Sequence, residues 1–207
     1  MFVIENLIYK DILLIDRMEI PANKITCLVG ESGAGKSTLL KMLNIMLSPD
    51  GGEIYYKNKN IKVADPILHR RNVIMLAQQP TIFEGTIRDN LNLGLVFSEK
   101  KLKEDHELNE ALAIVQLHKA LNDDADTLSG GEKQRLALAR VYLMEPEVYL
   151  LDEPTAALDE DTESVVMASF IKQVKQKGQS VIMITHSQKI ATKYGEKIIT
   201  LEKSAGD

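Results

Sequence analysis

The stretch Ile25-Thr26-Cys27-Leu28-Val29-Gly30-Glu31-Ser32-Gly33-Ala34-Gly35-Lys36-Ser37-Thr38 decides the fold class. Its first five residues are a compact apolar run, which reads as a buried strand stopped by Gly30. Behind the glycines, Leu39, Leu40, Leu43 and Leu47 recur at helical spacing, so a helix is expected over 38–47. Between strand and helix, residues 30–37 fit G-x-x-x-x-G-K-[ST]. Glycines let the backbone turn tightly so that successive N–H groups point at one anion, and the helix start adds its positive end. Lys36 can reach the outer phosphates of a nucleotide, and the Ser37 hydroxyl can ligate Mg²⁺. The bland alternative is a glycine-rich turn with a surface lysine; the correct flanks favour the cradle.

Composition narrows the rest. The 207 residues carry 25 Lys and Arg against 30 Asp and Glu, a net charge of −5. That balance argues against bulk nucleic-acid affinity and against a polybasic membrane anchor. With 44% hydrophobic and 27% charged residues the chain can bury a sizeable core. The length suits one domain, or one domain with a sub-domain let into it. The single Cys27 excludes an intramolecular disulfide and a multi-cysteine zinc site, and its neighbours make it a buried strand residue. No apolar run approaches the ~18 residues of a membrane span, and the first residues lack a secretory pattern. A soluble cytoplasmic chain is expected.

Residues 2–9 and the series Leu13, Ile15, Met18, Ile20 read as two N-terminal strands. Asp50-Gly51-Gly52 reads as a turn, 53–56 as a short strand, and 73–77 as a buried strand ended by Gln78-Gln79-Pro80. From 86 to 127 the pattern is helical only. A helix from Ser129 to about Met144, an apolar strand at 148–151, a helix over 161–177 and strands at 180–185 and 198–201 follow. Strands alternating with helices predict an α/β fold with a mostly parallel central sheet. Residues 86–135 form a helical sub-domain inserted into a core of 1–85 and 136–207. His69, His106 and His118 have no motif around them and read as solvated. Met42, Met46, Met75 and Met144 fall on apolar faces and read as core.

Two further constellations bear on chemistry. Val148-Tyr149-Leu150-Leu151-Asp152-Glu153 is an apolar strand ending in adjacent acids, and in open α/β sheets ligands bind at that end. Asp152 can hold Mg²⁺ through water, and Glu153 is placed to take a proton from an attacking water. Leu128-Ser129-Gly130-Gly131-Glu132 opens a helix, with Ser129 and Glu132 spaced as a capping box. Two glycines in a first turn cost about 1 kcal/mol each against alanine, yet they bare the backbone for a phosphate. One nucleotide per chain leaves one of the two glycine-lined helix starts unused, unless two chains share each nucleotide.

In this order, the three motifs resemble those of an ATP-binding cassette (ABC) ATPase, over essentially the whole chain. Further marks agree. Gln78 stands where that family has its glutamine loop, with Gln79 leaving the register open by one. Ala156-Ala157-Leu158-Asp159 is similar to the D-loop, and His186 to the switch histidine. Tyr9 is matched to the aromatic that stacks on adenine. Glu132 stands where many cassettes have glutamine. The short length, the abbreviated insert and Leu-Ser-Gly-Gly-Glu-Lys-Gln-Arg-Leu-Ala-Leu-Ala-Arg lean towards small cassette subunits of the iron-export FetA (YbbL) type.

The resemblance implies a P-loop NTPase (RecA-like) core with antiparallel N-terminal strands, and ATP and Mg²⁺ as cofactors. It implies ATP contacts from Tyr9, Gly30, Glu31, Ser32, Gly33, Ala34, Gly35, Lys36, Ser37, Thr38, Gln78 and Asp159. Ser129, Gly130 and Gly131 would reach the ATP of a second copy, closed head-to-tail. Ser37, Gln78 and Asp152 would serve the metal, and Glu153, His186 and Lys36 the hydrolysis. The expected partners are that second copy and an integral membrane permease, which would hold the chain at the inner face of the cell membrane. A cassette acting on nucleic acid or the ribosome is the rival. The insert lacks sustained heptads, the chain carries one cassette, and its charge is negative; all three oppose that rival.

Overall fold

The computed structural model describes residues 1–203. The chain divides into two compact units. Residues 1–75, 147–152 and the described residues from 178 on form the first; residues 76–146 and 153–177 form the second.

The first unit contains two sheets. Strands β1 (Phe2–Tyr9) and β2 (Leu13–Ile20) pair antiparallel, Phe2 opposite Ile20 and Tyr9 opposite Leu13. On the other side of β1 lies β4 (Gly51–Tyr56), followed by β5 (Lys59–Asn60). The second sheet has the order β6 (Val73–Leu76), β7 (Val148–Asp152), β8 (Ser180–Ile184), β3 (Ile25–Val29), β9 (Lys197–Thr200). Here β7 pairs parallel with β8, β8 with β3 and β3 with β9, with Leu28 opposite both Ile184 and Ile199. Every residue of β7 and β8 is buried, which is why both read as bare apolar runs rather than alternating ones. Helix α1 (Lys36–Leu43) lays Leu39, Leu40 and Leu43 into a core shared with Phe2, Ile4, Leu150 and Ile184. Two short helices, α2 (Pro66–Asn72) and α7 (Gln188–Tyr194), complete the unit. The buried Cys27 thiol is pushed up to about 11 by burial, so it is inert packing.

The second unit is helical: α3 (Ile87–Phe97), α4 (Asp105–Ile114), α5 (Gly130–Leu143) and α6 (Glu160–Gln176). Both α3 and α4 pack on α5. Leu136, Ala137, Leu138 and Ala139 are all fully buried, so α5 is the hub of this unit. Thr86 with Asp89, and Ser129 with Glu132, close the capping boxes that start α3 and α5. Among the described residues, no helix is long and apolar enough to cross a membrane.

Several local expectations need correction. Helix α1 ends at Leu43, short of Leu47, because Asn44 leaves the helix to donate its side-chain amide to Val73 O at 2.6 Å. Ile45 then turns left-handed, with φ +57°. Gly51 and Gly52 belong to β4 instead of a turn, at a bulge where the β1 register shifts. His69 is buried, not solvated: its Nε2 lies 2.7 Å from Leu43 O and its ring meets Tyr56 edge-on at 5.4 Å. Met46 is exposed, whereas Met42 is core. Helix α2 is an addition to the expected elements: Asp65 caps it and Pro66 opens it.

Candidate functional site

In the first unit the loop between β3 and α1 is shaped by its own backbone. Gly35 caps α1 with φ +81°, a left-handed conformation that would strain any other residue, and a Cβ there would also push aside Leu13, whose Cδ2 would stand 2.5 Å away. Lys36 is 7% exposed, and its Nζ donates to Gly30 O at 2.8 Å and Glu31 O at 2.7 Å. An ammonium has three donors, so one is left for an anion held by the same loop. Ser37 Oγ donates to Asp152 Oδ1 at 3.0 Å. Asp152 ends β7 and is 4% exposed.

Ser37 and Asp152 are hard oxygen donors, and among the described residues no cluster of three or more His, Cys, Asp or Glu forms a cage. That donor set fits Mg²⁺, which takes few protein ligands and completes its shell from phosphate and water. Tyr9 ends β1, partly buried against this unit's core, with Lys10 Nζ 5.2 Å from its ring. His186 is exposed, two residues beyond β8, where Ser187 caps α7.

The second unit brings Gln78 and Glu153 together: Gln78 Nε2 donates to Glu153 Oε2 at 2.9 Å. It is Gln78, rather than Gln79, that makes this contact. Glu153 adopts φ +49°, a left-handed conformation that costs a non-glycine residue about 1–2 kcal/mol. Gln134 holds that turn in place. This residue of α5 is 3% exposed; its Nε2 donates to Glu153 O at 2.8 Å and its Oε1 accepts from Ala157 N at 2.9 Å.

The start of α5 is fully accounted for except at one position. Ser129 N donates to Glu132 Oε2 at 2.9 Å, and Lys119 Nζ lies 3.1 Å from Glu132 Oε1. The Ser129 amide first, then Lys119, hold the Glu132 carboxyl down at about 2. Glu132 is therefore spoken for as a cap. Gly131 is required by packing, since a Cβ would come 2.9 Å from Ala157 O. Gly130 faces open space, so no neighbour within the chain demands glycine there. Asp159 caps α6 by accepting from Thr162 N at 2.9 Å, which lowers its pKa.

Sequence reasoning missed Gln134 and Arg140. The available signal was positional: Gln134 shares helical spacing with the buried Leu138 and Val141, where an apolar residue is expected.

The chain is similar to several known proteins. The chain is 38% identical over 173 residues to Protein STAR1 of Oryza sativa subsp. japonica, covering 83% of itself and 50% of that protein. It is 34% identical over 206 residues to the phosphate import ATP-binding protein PstB 2 of Trichormus variabilis, covering 93% of itself and 71% of that protein. The chain thus spans half the length of STAR1 and smaller parts of several long transporters, such as 13% of fsqE from Aspergillus fumigatus. Among solved structures it superposes on the dimeric post-hydrolysis state of the ATP-binding cassette MJ0796 bound to ADP and Pi. The TM-score is 0.86 at 28% identity, covering 100% of this chain and 98% of that one. It also matches cbiO1 from Clostridium perfringens, part of the transporter complex cbiONQ, with TM-score 0.83, 30% identity and coverage of 98% and 84%. Residues 15–156 match the family model for ABC transporters, and on that match, more than half of its length, the chain belongs to the ABC transporter family with the P-loop cassette fold.

Proposed function

We propose that this chain is the ATP-hydrolysing subunit of a transporter, working as a pair with a second copy on a separate membrane permease. The observation that carries the reading is the 30–37 loop, whose Ser37 hydroxyl is bonded to the buried Asp152 carboxylate at the end of β7. The relatives support it: PstB 2 is an ATP-binding protein of phosphate import, and the MJ0796 structure holds ADP and Pi.

Bound Mg·ATP supplies the reacting phosphoryl group. The loop amides and the third Lys36 donor stabilise the charge that develops on its oxygens, the larger part of catalysis for such a transfer. Ser37 and Asp152 hold the metal side. Glu153, one peptide bond after Asp152, takes the proton from the attacking water. Gln78, already bonded to Glu153, and the exposed His186 sense the γ-phosphate. Tyr9 offers its ring to the adenine, and Asp159 borders the second copy. Ser129, Gly130 and Gly131 reach across to the ATP of the partner chain, and the open space at Gly130 supports that reading. The short insert and the run that opens α5 support a subunit of the small iron-export type.

Turnover with Mg·ATP tests the whole reading. Glu153→Gln should bind Mg·ATP with a Kd within about threefold of wild type and lose at least about 100-fold in kcat, because an amide accepts no proton. A kcat within about threefold of wild type would remove Glu153 from the role of base.

A further inference from the structure

One cation of the second unit is half-buried with no carboxylate beside it. Among the described residues, Arg140, in the last turn of α5, makes all of its hydrogen bonds to neutral groups. Nη2 donates to Thr81 O at 2.7 Å and Nη1 to Asn90 Oδ1 at 3.4 Å, and Cζ lies 5.2 Å from the centre of the Phe83 ring. Burial pushes its pKa down and no acid opposes that effect. Taking a charge out of water without a counter-charge is costly, and a purely apolar side chain would fill the same space without that cost. The arginine must therefore supply something that packing does not.

What it supplies is a grip on the segment that follows Gln78. Asn90, 0% exposed, brackets Phe83: its Oδ1 accepts from Phe83 N at 2.9 Å, and its Nδ2 donates to Phe83 O at 2.8 Å. Arg140 ties the other atom of interest, Thr81 O, to α5 and covers the Phe83 ring from the same planar fork. A lysine has one compact ammonium and cannot do both. Thr81 stands three residues after Gln78, and Gln134, six residues before Arg140 on the same helix, holds the Glu153 end. A single helix thus bonds to Glu153 itself and to Thr81, three residues after its partner Gln78.

We infer that Arg140 is a positioning residue for hydrolysis, holding the 81–83 segment through Thr81, Phe83 and Asn90 so that the Gln78 side chain stays against Glu153. The inference rests on the reading of Glu153 as the base.

The test compares wild type, Arg140→Lys, Arg140→Gln and Phe83→Leu as full chains, with Glu153→Gln alongside. Turnover of Mg·ATP, binding of Mg·ADP by calorimetry and amide hydrogen exchange are measured on each. Arg140→Lys and Arg140→Gln should lower kcat at least about tenfold while the Kd for Mg·ADP stays within about twofold, since that ligand lacks the phosphate Gln78 senses. Exchange at amides 81–85 should quicken at least about tenfold with β3 and α1 unchanged. Phe83→Leu keeps both Asn90 bonds and loses only the ring face, so it should move kcat and local exchange in the same direction by about threefold. Full turnover in Arg140→Lys overturns the positioning role, as does exchange that quickens equally throughout the chain, which marks a fold defect. If Glu153→Gln is inactive while both Arg140 variants turn over normally, the inference alone fails. If Glu153→Gln keeps full turnover, the base assignment fails and the inference with it.

Discussion

The Ser37 hydroxyl donates to Asp152 Oδ1 at 3.0 Å, joining the first turn of α1 to a strand end 115 positions away. The hydroxyl proton is thereby committed to a carboxylate that is 4% exposed, and the serine lone pairs remain for a hard cation. A carboxylate that takes the proton of a ligating group raises that ligand's basicity and fixes its direction.

Asp152→Asn should therefore raise the Mg²⁺ concentration needed for half-maximal ATP hydrolysis by about 10–100-fold. The asparagine fills the same space, so the thermal midpoint should move little. A magnesium titration of turnover, with a melting curve beside it, checks this. An unchanged magnesium midpoint would take Asp152 out of the metal site.

Gln134→Leu replaces a buried amide by an apolar side chain of similar volume and strands two main-chain groups, Glu153 O and Ala157 N. Each buried group left unsatisfied costs about 1–3 kcal/mol. Denaturant unfolding should show a loss of at least that size, with turnover reduced beyond the loss of folded protein because the Glu153 turn is released. A stability equal to wild type would mean that water takes over both bonds.

Pairing should depend on nucleotide. Glu153→Gln held in Mg·ATP should sediment as a dimer, and the same variant in Mg·ADP as a monomer. Ser129→Arg places bulk and a second cation at the start of α5, so it should block the dimer while leaving ATP binding by the monomer's own 30–37 loop within about threefold. Equal mass with either nucleotide, repeated in the presence of the proposed permease, would reduce Ser129–Glu132 to a capped helix.

The Glu132 carboxyl is held at about 2 against an ordinary 4.5, by the Ser129 amide and by Lys119. A depressed folded-state pKa contributes stability that is present above the unfolded value and lost as pH falls through the folded one. Wild type should thus melt above Glu132→Gln at pH 6, with the gap closing between about pH 4.5 and pH 2. The gap will be small, because the carboxylate is only partly buried and its ion pair with Lys119 is screened by solvent. Melting curves of both proteins across that range decide it; a gap that persists at pH 2 would point to the shape of the side chain instead of its charge.

The sequence by itself determined the features that are written in a short window. Residues 30–37 between an apolar strand and a helix, the acids that end β7, and the Ser129–Glu132 box all depend on neighbours within about one helical turn, where chain chemistry dictates local conformation. The parallel sheet followed from apolar runs alternating with helical periods, and the structure has it. Tertiary structure decided whatever depends on partners far along the chain. The Gln78 side chain finds its hydrogen-bond partner in a carboxylate 75 positions away. The importance of Gln134 and Arg140 required main-chain groups 19 and 59 positions away. A polar residue in a buried helix face looks the same in sequence whether it holds a functional turn or is an ordinary solvated side chain; only the fold names its acceptor. The two glycines of the α5 start divide along the same line: composition made them equivalent, and packing sets Gly131 against Ala157 O while Gly130 has no described atom within 4 Å of where a Cβ would stand.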